Sequence, residues 1–370
     1  MKKKICMVTT SRLDVDSRIQ NEAEALSEDF EVTILCRKYD QPETLKNTPY
    51  KIKRISYAKM WPFLCNILSS FYSLNRAASR ENPDFFHAHD LDGLLITAQV
   101  AKDKKKPLIY DSHELWSENL ANRQLKTVKW IIPALEKSLI KYSQFGITAS
   151  PSYAEQLKKK YNRDFTVIRN MPKLENLQKS PVDFRKMFPG ETILLHVGQT
   201  GAARGADKLI EMMTYLPVNF TLVFLGGKQQ PAFDEQIKQL NLKDRVHFVD
   251  AIEPIELISA IKTADIGLVV TEGLSLSKYY SLPNKLMQYI AGEIPVLASD
   301  IPEHCRIVEK EKIGEITKND PKYMAKLIEK MVKPENFGLY KKNLEGLAVK
   351  SYNWKAEGKR LINFYQNLKP

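Results

Sequence analysis

The apolar positions of the chain fall into short runs separated by amphipathic stretches. Lys4–Thr9 (KICMVT) is one such run, and the spacing over Ser17–Leu26 then puts Ile19, Ala23 and Leu26 on one helical face. EVTILC, Glu31–Cys36, returns as a strand, so a βαβ unit closes within about 35 residues. The alternation continues with strand Phe85–His87, helix Gly93–Lys102, strand Pro107–Tyr110 and the strand-like FGITAS at Phe145–Ser150. A second series opens at Thr192 with TILLHVG. It runs through helix Ala206–Tyr215, FTLVFLGG, helix Asp234–Leu240, RVHFVD, helix Glu256–Thr263, DIGLVV, helix Lys285–Ala291 and IPVLAS. Two such series predict an α/β protein with two parallel, doubly wound sheets. The polar, proline-bearing segment Asn170–Phe184 reads as the linker, and Tyr352–Leu368 as one amphipathic helix carrying Trp354, Leu361, Phe364, Tyr365 and Leu368. The predicted domains are therefore 1–172 and 173–351, followed by the helix 352–370. Ligands of doubly wound sheets bind beyond the carboxyl ends of the strands, which makes the cleft between two such domains the expected site.

Size and composition agree with this division. The 370 residues exceed one ordinary core and suit two domains of about 150–200 residues. With 43% apolar and 27% charged residues, the chain is neither disordered nor fibrous. It has no run of 18 apolar residues, and its opening MKKKICMVTT offers only Ile5–Val8 as an apolar stretch, too short for a signal peptide. The expected location is the cytoplasm. Four cysteines without CxxC spacing read as reduced, mostly buried thiols.

Charge adds one feature. The formal net charge is +12, with +9 in residues 1–180 and +3 in residues 181–370. Thr44–Arg80 holds Lys46, Lys51, Lys53, Arg54, Lys59, Arg76 and Arg80 with no acid, interleaved with Tyr50, Tyr57, Trp61, Phe63, Phe71 and Tyr72. Such a patch suits a phosphorylated substrate or an anionic membrane surface. No nucleic-acid motif accompanies it, and no nucleic acid is expected as a partner.

The candidate chemistry lies at strand ends. Strand one is followed by TTSRLDVDSR, without the glycine-rich turn of dinucleotide enzymes, and no GxxxxGK[ST] occurs, which argues against nicotinamide and P-loop chemistry. FFHAHDLDG puts His87 and His89 on one side of a strand, as metal ligands would be, but no further His or Cys cluster completes a set, so no metal is expected. His89 and Asp90, at the strand's carboxyl end, are placed to meet a substrate, and a structural histidine fits the same position. DVD (Asp14–Asp16) and DLD (Asp90–Asp92) match the short DxD pattern of some sugar transferases, but Asp16 precedes a helix and reads as its cap. VGQTGAARGADKLIEMM is a strand, a glycine-rich loop and a helix; Gly201 lets backbone approach a ligand, and Arg204, with Lys208 beyond it, suits an anion. SLPNKLMQ sets Asn284, Lys285 and Gln288 at a helix start, with Lys285 placed for a second phosphate and Gln288 for a ribose hydroxyl.

These segments together resemble glycosyltransferase family 4, the retaining nucleotide-sugar transferases of the GT-B fold. DSRIQNEAEALSEDFEVTIL, FHAHDLDGLL, LIYDSHELW, GITASPSYAEQL with VIRNMP, GAARGADKLIE and SLPNKLMQYIAGEIPVLASD follow the family's order over nearly the whole chain. The resemblance implies two Rossmann-like domains facing across a cleft, with acceptor binding by the first, donor binding by the second, and the last helix crossing back onto the first. It implies a nucleotide-diphosphate sugar as co-substrate, no metal, His89 near the anomeric centre with Asp90 beside it, and Arg204 on the diphosphate. Arg18, Glu114 and His113 would lie on the acceptor side. The acceptor would be a glycan or an anionic, lipid-linked saccharide of the cell envelope, met at the inner face of the membrane through Thr44–Arg80. The chain departs from the family at Gln199, where an arginine is usual, and at Tyr280 and Gln288, where two glutamates are usual. The departures fit a branch bearing the SLPNK loop, in which Lys285 replaces the lost charge. They also leave open a catalytically degenerate binding partner of an active transferase, or a GT-B nucleotide-sugar epimerase.

Overall fold

The computed structural model describes residues 2–58, 63–116, 118, 128–201, 204–272 and 275–368. Two compact units emerge, Met1–Asn170 with Lys355–Pro370, and Met171–Trp354.

The first unit runs β1 (Lys4–Thr9), α1 (Ser17–Ser27), β2 (Glu31–Arg37), β3 (Lys51–Ile55), α2 (Phe63–Arg80), β4 (Phe85–His89), α3 (Asp90–Asp103), β5 (Leu108–Ser112), α4 (Val128–Ile140), β6 (Phe145–Thr148), α5 (Pro151–Tyr161) and β7 (Thr166–Val167). Its sheet is parallel in the order β3-β2-β1-β4-β5-β6-β7, so chain order reverses at β1 and β4. β4 and β5 are buried throughout, as central strands covered on both faces must be. The register pairs Ala88 with Tyr110 and His89 with Asp111, which brings the two strand ends together. Gly93 lets α3 start close to β1, since a Cβ there would lie 2.7 Å from the Val8 carbonyl oxygen.

The second unit runs α6 (Phe184–Met187), β8 (Thr192–Val197), α7 (Ala206–Met212), β9 (Phe220–Leu225), α8 (Pro231–Gln239), β10 (Val246–Val249), α9 (Leu257–Ile261), β11 (Ile266–Val269), α10 (Leu276–Tyr279) and α11 (Asn284–Ala291). It continues with β12 (Val296–Ser299), α12 (Pro302–Glu311), β13 (Gly314–Thr317), α13 (Pro321–Met331), α14 (Pro334–Leu344) and α15 (Leu347–Ser351). The parallel order is β10-β9-β8-β11-β12-β13, reversing between β8 and β11. Apolar layers cover both faces, Leu195, Val223 and Tyr289 on one side and Leu194, Leu222 and Met324 on the other. The Tyr289 hydroxyl donates to the Leu195 carbonyl at 2.8 Å and accepts from the Val197 amide at 2.9 Å. That pins α11 to the end of β8. Gly267 makes room for the ring, because a Cβ there would lie 2.4 Å from it.

The last helix, α16 (Trp354–Gln366), packs from Lys355 onward within the first unit. Buried Glu357 accepts from Arg169 Nη2 at 2.6 Å and Nε at 2.9 Å, and the Tyr365 hydroxyl lies 2.7 Å from His87 Nδ1.

The fold corrects the reading of Thr44–Arg80 as a patch without acids. Acids distant in sequence pair with its charges: Lys51 with Glu31 at 2.7 Å, Lys53 with Glu81 at 2.6 Å, and Arg54 with Asp14 at 3.2 Å. Tyr50 is buried in the core, and Tyr57 stacks under Arg37. Arg76 and Arg80 stay exposed on α2 together with Leu68 and Tyr72. Lys59 and Trp61 fall outside the described residues. No helix among the described residues is long and apolar enough to cross a membrane.

Candidate active site

In the first unit the chemistry gathers where β1, β4 and β5 end. Arg18 on α1 is only 5% exposed. Its Nη2 donates to Asp111 Oδ1 at 2.9 Å and Oδ2 at 3.1 Å, Nη1 donates to the Ile168 carbonyl at 2.8 Å, and Nε lies 3.0 Å from Glu22 Oε1. The Arg18 and His113 charges hold the Asp111 carboxyl well below the usual carboxylate range against its burial. Glu22, also buried, is pushed up to about 8 by desolvation and is a neutral acid at pH 7. Arg18 is thus committed inside the protein and shapes the strand ends from behind.

His113 sits between two carboxylates. Its Nε2 is 3.1 Å from Asp111 Oδ2, its Nδ1 3.4 Å from Asp90 Oδ2, and its backbone N–H donates to Asp90 Oδ1 at 2.9 Å. Those charges outweigh burial and raise it to about 10, so both ring nitrogens carry protons. Its Nε2 also lies 3.1 Å from His89 Nδ1. His89, held neutral by burial, accepts there and keeps its proton on Nε2, a buried N–H with no partner among the described residues. The His89 ring stacks on His87 at 4.2 Å. His87 Nε2 faces Asp111 Oδ2 at 3.7 Å and Glu22 Oε2 at 3.8 Å, so its proton lies on that side and Tyr365 donates to Nδ1.

Asp90 follows β4 in the left-handed region, φ 56°, which is uncommon for a residue with a side chain. Burial raises it to about 6, and burial together with the Asp90 charge raises Asp92, hydrogen-bonded to Thr10, to about 7. Glu114 follows in the loop, where its carbonyl accepts from the Ser112 hydroxyl at 2.8 Å. The strand end therefore joins His89, Asp90 and His113 directly.

His87 and His89 do share a face, and here the structure adds what the sequence did not reveal. Glu22 and Asp111 complete four donor groups whose ligand atoms lie within 4.8 Å of one another. Arg18 already bonds Asp111 and abuts Glu22, so the two cations Arg18 and His113 balance the anions Asp111 and Asp90 at neutral pH. A divalent cation would have to displace a guanidinium held by three partners. The DVD motif resolves into fold contacts, with Asp14 on Arg54 and Asp16 accepting from the Ile19 amide to cap α1.

In the second unit, β8 ends at Val197 and the loop to α7 carries Gly201 and Arg204, whose amide donates to the Gly201 carbonyl at 2.9 Å. Gly205, φ 62°, packs so closely on Val270 that a Cβ would lie 2.4 Å from Cγ1. Lys208 pairs with Glu272 at 2.9 Å. Lys285, in the first turn of α11, is 8% exposed, and its Nζ lies 3.0 Å from His196 Nε2. Burial and the Arg204 charge push Lys285 down to about 7, while burial and Lys285 hold His196 well below the ordinary histidine range. Asn284 is exposed beside Lys285, and Gln288 is half-buried one turn on. The fold thus brings Arg204 and Lys285 close enough to repel. Sequence reading missed His196, which looked like one more residue of an apolar strand.

Comparison with known proteins bears on the family and the fold. Residues 15–175 match the family described as Glycosyltransferase Family 4, and residues 182–345 match Glycosyl transferases group 1. No curated protein sequence gives a significant match. Among solved structures, the sucrose-phosphate synthase of Thermosynechococcus elongatus superposes with a TM-score of 0.81 at 18% identity, over 99% of this chain and 98% of that one. Anabaena HepE, solved with UDP and glucose, gives 0.79 at 15% identity over 99% and 100%. WaaG, a glycosyltransferase involved in lipopolysaccharide biosynthesis, gives 0.71 at 12% over 98% and 100%. The two glycosyltransferase models together span most of the chain, which belongs to glycosyltransferase family 4 and has the GT-B fold.

Proposed function

We propose that the enzyme transfers a sugar, with retention of anomeric configuration and without a metal, from a nucleotide-diphosphate donor to a lipid-linked or other cell-envelope saccharide. The observation that carries the donor assignment is the buried Lys285 amine, which faces a neutral imidazole and feels the repulsion of Arg204. Such a pair favours an anion of two or more charges. Arg204 and Lys285 would neutralise the charge that develops on the departing diphosphate. Asn284 and Gln288 would line the nucleoside side, with Gly201 and Lys208 bordering the phosphates. In the first unit the unpartnered Nε2–H of His89 would meet an oxygen of the donor sugar, with Asp90 beside it. His113, held as an imidazolium, and Glu114 would border the acceptor, and Arg18 would act behind them. The acceptor hydroxyl would attack from the face the diphosphate leaves.

HepE binds UDP and UDP-glucose, so uridine is the first base to test. A thermal-shift panel of UDP, GDP, ADP, CMP and their common sugars, with and without magnesium, tests the assignment. One nucleotide should raise the unfolding midpoint equally with or without the metal, since ligand at 100 times its Kd adds about 2.7 kcal/mol. Magnesium dependence would overturn the metal-free reading, and no shift at all would overturn the donor site.

WaaG and WaaB, named for lipopolysaccharide synthesis, support an envelope acceptor. The proposed membrane contact is α2, where Leu68 and Tyr72 are exposed one turn apart and Arg76 and Arg80 follow. It would place a cytoplasmic enzyme at the inner face of the membrane. In flotation with liposomes, the protein should rise with vesicles containing anionic lipid and not with neutral ones. Equal recovery with both would sink this contact.

A further inference from the structure

We propose that His196 is the positioning residue for the donor diphosphate: it holds Lys285 in place as an anion-binding group, and the Lys285–His196 pair takes up a proton when the diphosphate binds. The inference rests on the reading of Lys285 and Arg204 as the donor's phosphate ligands.

β8 carries His196 to its end, and Tyr289, one turn beyond Lys285, ties α11 to the same strand through Leu195 and Val197. The 3.0 Å contact between Lys285 Nζ and His196 Nε2 is therefore set by two braced elements. Buried ammonium groups are ordinarily matched by a carboxylate. Among the described residues, the groups that act on Lys285 are instead Arg204, from the loop before α7, and the ring of His196, while His304 on α12 feels its charge. Of the elements packed along α11, α9 and β11 carry no charged side chain, and α15 carries only the exposed Lys350.

The imidazole can serve two proton arrangements in one geometry. His196 Nε2 also lies 3.3 Å from the Gln199 carbonyl oxygen. With a proton on Nε2, the ring donates to that carbonyl and to the lone pair of a neutral Lys285 amine. With Nε2 bare, the ring accepts from an ammonium, which leaves a buried Nδ1–H unpartnered. The first arrangement suits the empty site. A diphosphate supplies the missing anion and favours the second, so the lysine gains a proton from solvent. Desolvation and Arg204 put the empty-site lysine near neutrality, about 7, where this exchange is visible.

Calorimetric titration of the full chain with UDP-glucose, GDP-mannose and ADP-glucose tests this, in phosphate-free buffers of low and high ionisation enthalpy. Both phosphates of these probes are esterified and have no proton to exchange near neutrality, so buffer-dependent heat counts protons taken up by the protein. A lysine at about 7 in the empty site predicts uptake of about 0.1 proton at pH 6, 0.5 at pH 7 and 0.9 at pH 8. Because binding consumes a proton, affinity should fall as pH rises, approaching about tenfold per unit above pH 7. Lys285→Met should abolish the uptake. His196→Phe, which keeps an aromatic ring in place but removes the acceptor, should weaken binding and displace its pH profile. Binding by the native chain without uptake would overturn the inference and leave the donor site standing; failure of all three probes to bind would overturn both. Uptake that survives Lys285→Met, or a native profile in His196→Phe with its fold confirmed by circular dichroism, would remove the roles given to those residues.

Discussion

Replacing Arg18 by Met should cost the first unit about 3–5 kcal/mol, the range for breaking a buried, hydrogen-bonded ion pair from one side. The arginine is 5% exposed and bonds Asp111 twice, the Ile168 carbonyl once, and lies against Glu22. Its loss would strand the Asp111 carboxylate in the core with His113 as its remaining cation. Exposed pairs set the contrast: Lys51–Glu31, with side chains 67% and 40% exposed, belongs to a class worth about 0–1 kcal/mol. Lys51→Met should therefore leave the unfolding curve nearly unchanged. The effect carries a pH signature. The folded-state pKa of Asp111 is depressed, so its contribution is present above its unfolded value, about 4, and is lost as pH falls below it. The penalty of Arg18→Met should be full at pH 7 and shrink towards pH 3, where the stranded carboxylate takes a proton. Adding Asp111→Asn to Arg18→Met removes the stranded charge and should restore much of the loss. Denaturant unfolding of the three variants decides the matter, and a loss below about 1 kcal/mol for Arg18→Met at pH 7 would show that the cluster does not hold the strand ends together.

The same cluster shows where sequence reading reached its limit. Central strands such as Thr192–Val197 and Phe220–Leu225 were legible because both faces are buried and the runs are largely apolar. β3 was not: KIKRI forms the sheet edge, and its lysines advertised surface charge rather than a strand. The pairing of its charges with Glu31, Glu81 and Asp14 is long-range and left no trace in local composition. His89 and Asp90 were legible as strand-end residues and His113 only through the family resemblance; their convergence follows from the register of β4 on β5. The roles of Arg18 and Glu22 were hidden because a helix residue gives no sign of which strand end it will meet. His196 was hidden for the opposite reason, as a polar residue inside a run that otherwise reads as core.

Arg204→Ala should lower kcat/KM for sugar transfer by about 10²–10³-fold, the loss typical of removing a group that stabilises developing charge. A surface arginine with a solvated role would change the rate by less than about fivefold, so the magnitude separates the two readings. The loss should fall on kcat as well as on KM, because charge on the diphosphate grows as the glycosidic bond breaks. Arg204→Lys should recover only part of it: the charge returns, but not the planar fork that grips two phosphate oxygens. The substitution also reaches Lys285. Arg204 is the charge that disfavours its ammonium, so Arg204→Ala should let Lys285 hold its proton to higher pH in the empty site. Proton uptake on donor binding at pH 8 should then drop below the native value even as affinity falls. Transfer rates across a pH series, compared with calorimetry on the same variant, check both consequences. An unchanged kcat/KM would remove Arg204 from the donor site, whereas a lost rate with native proton uptake would leave it there and show that Lys285 titrates independently of it.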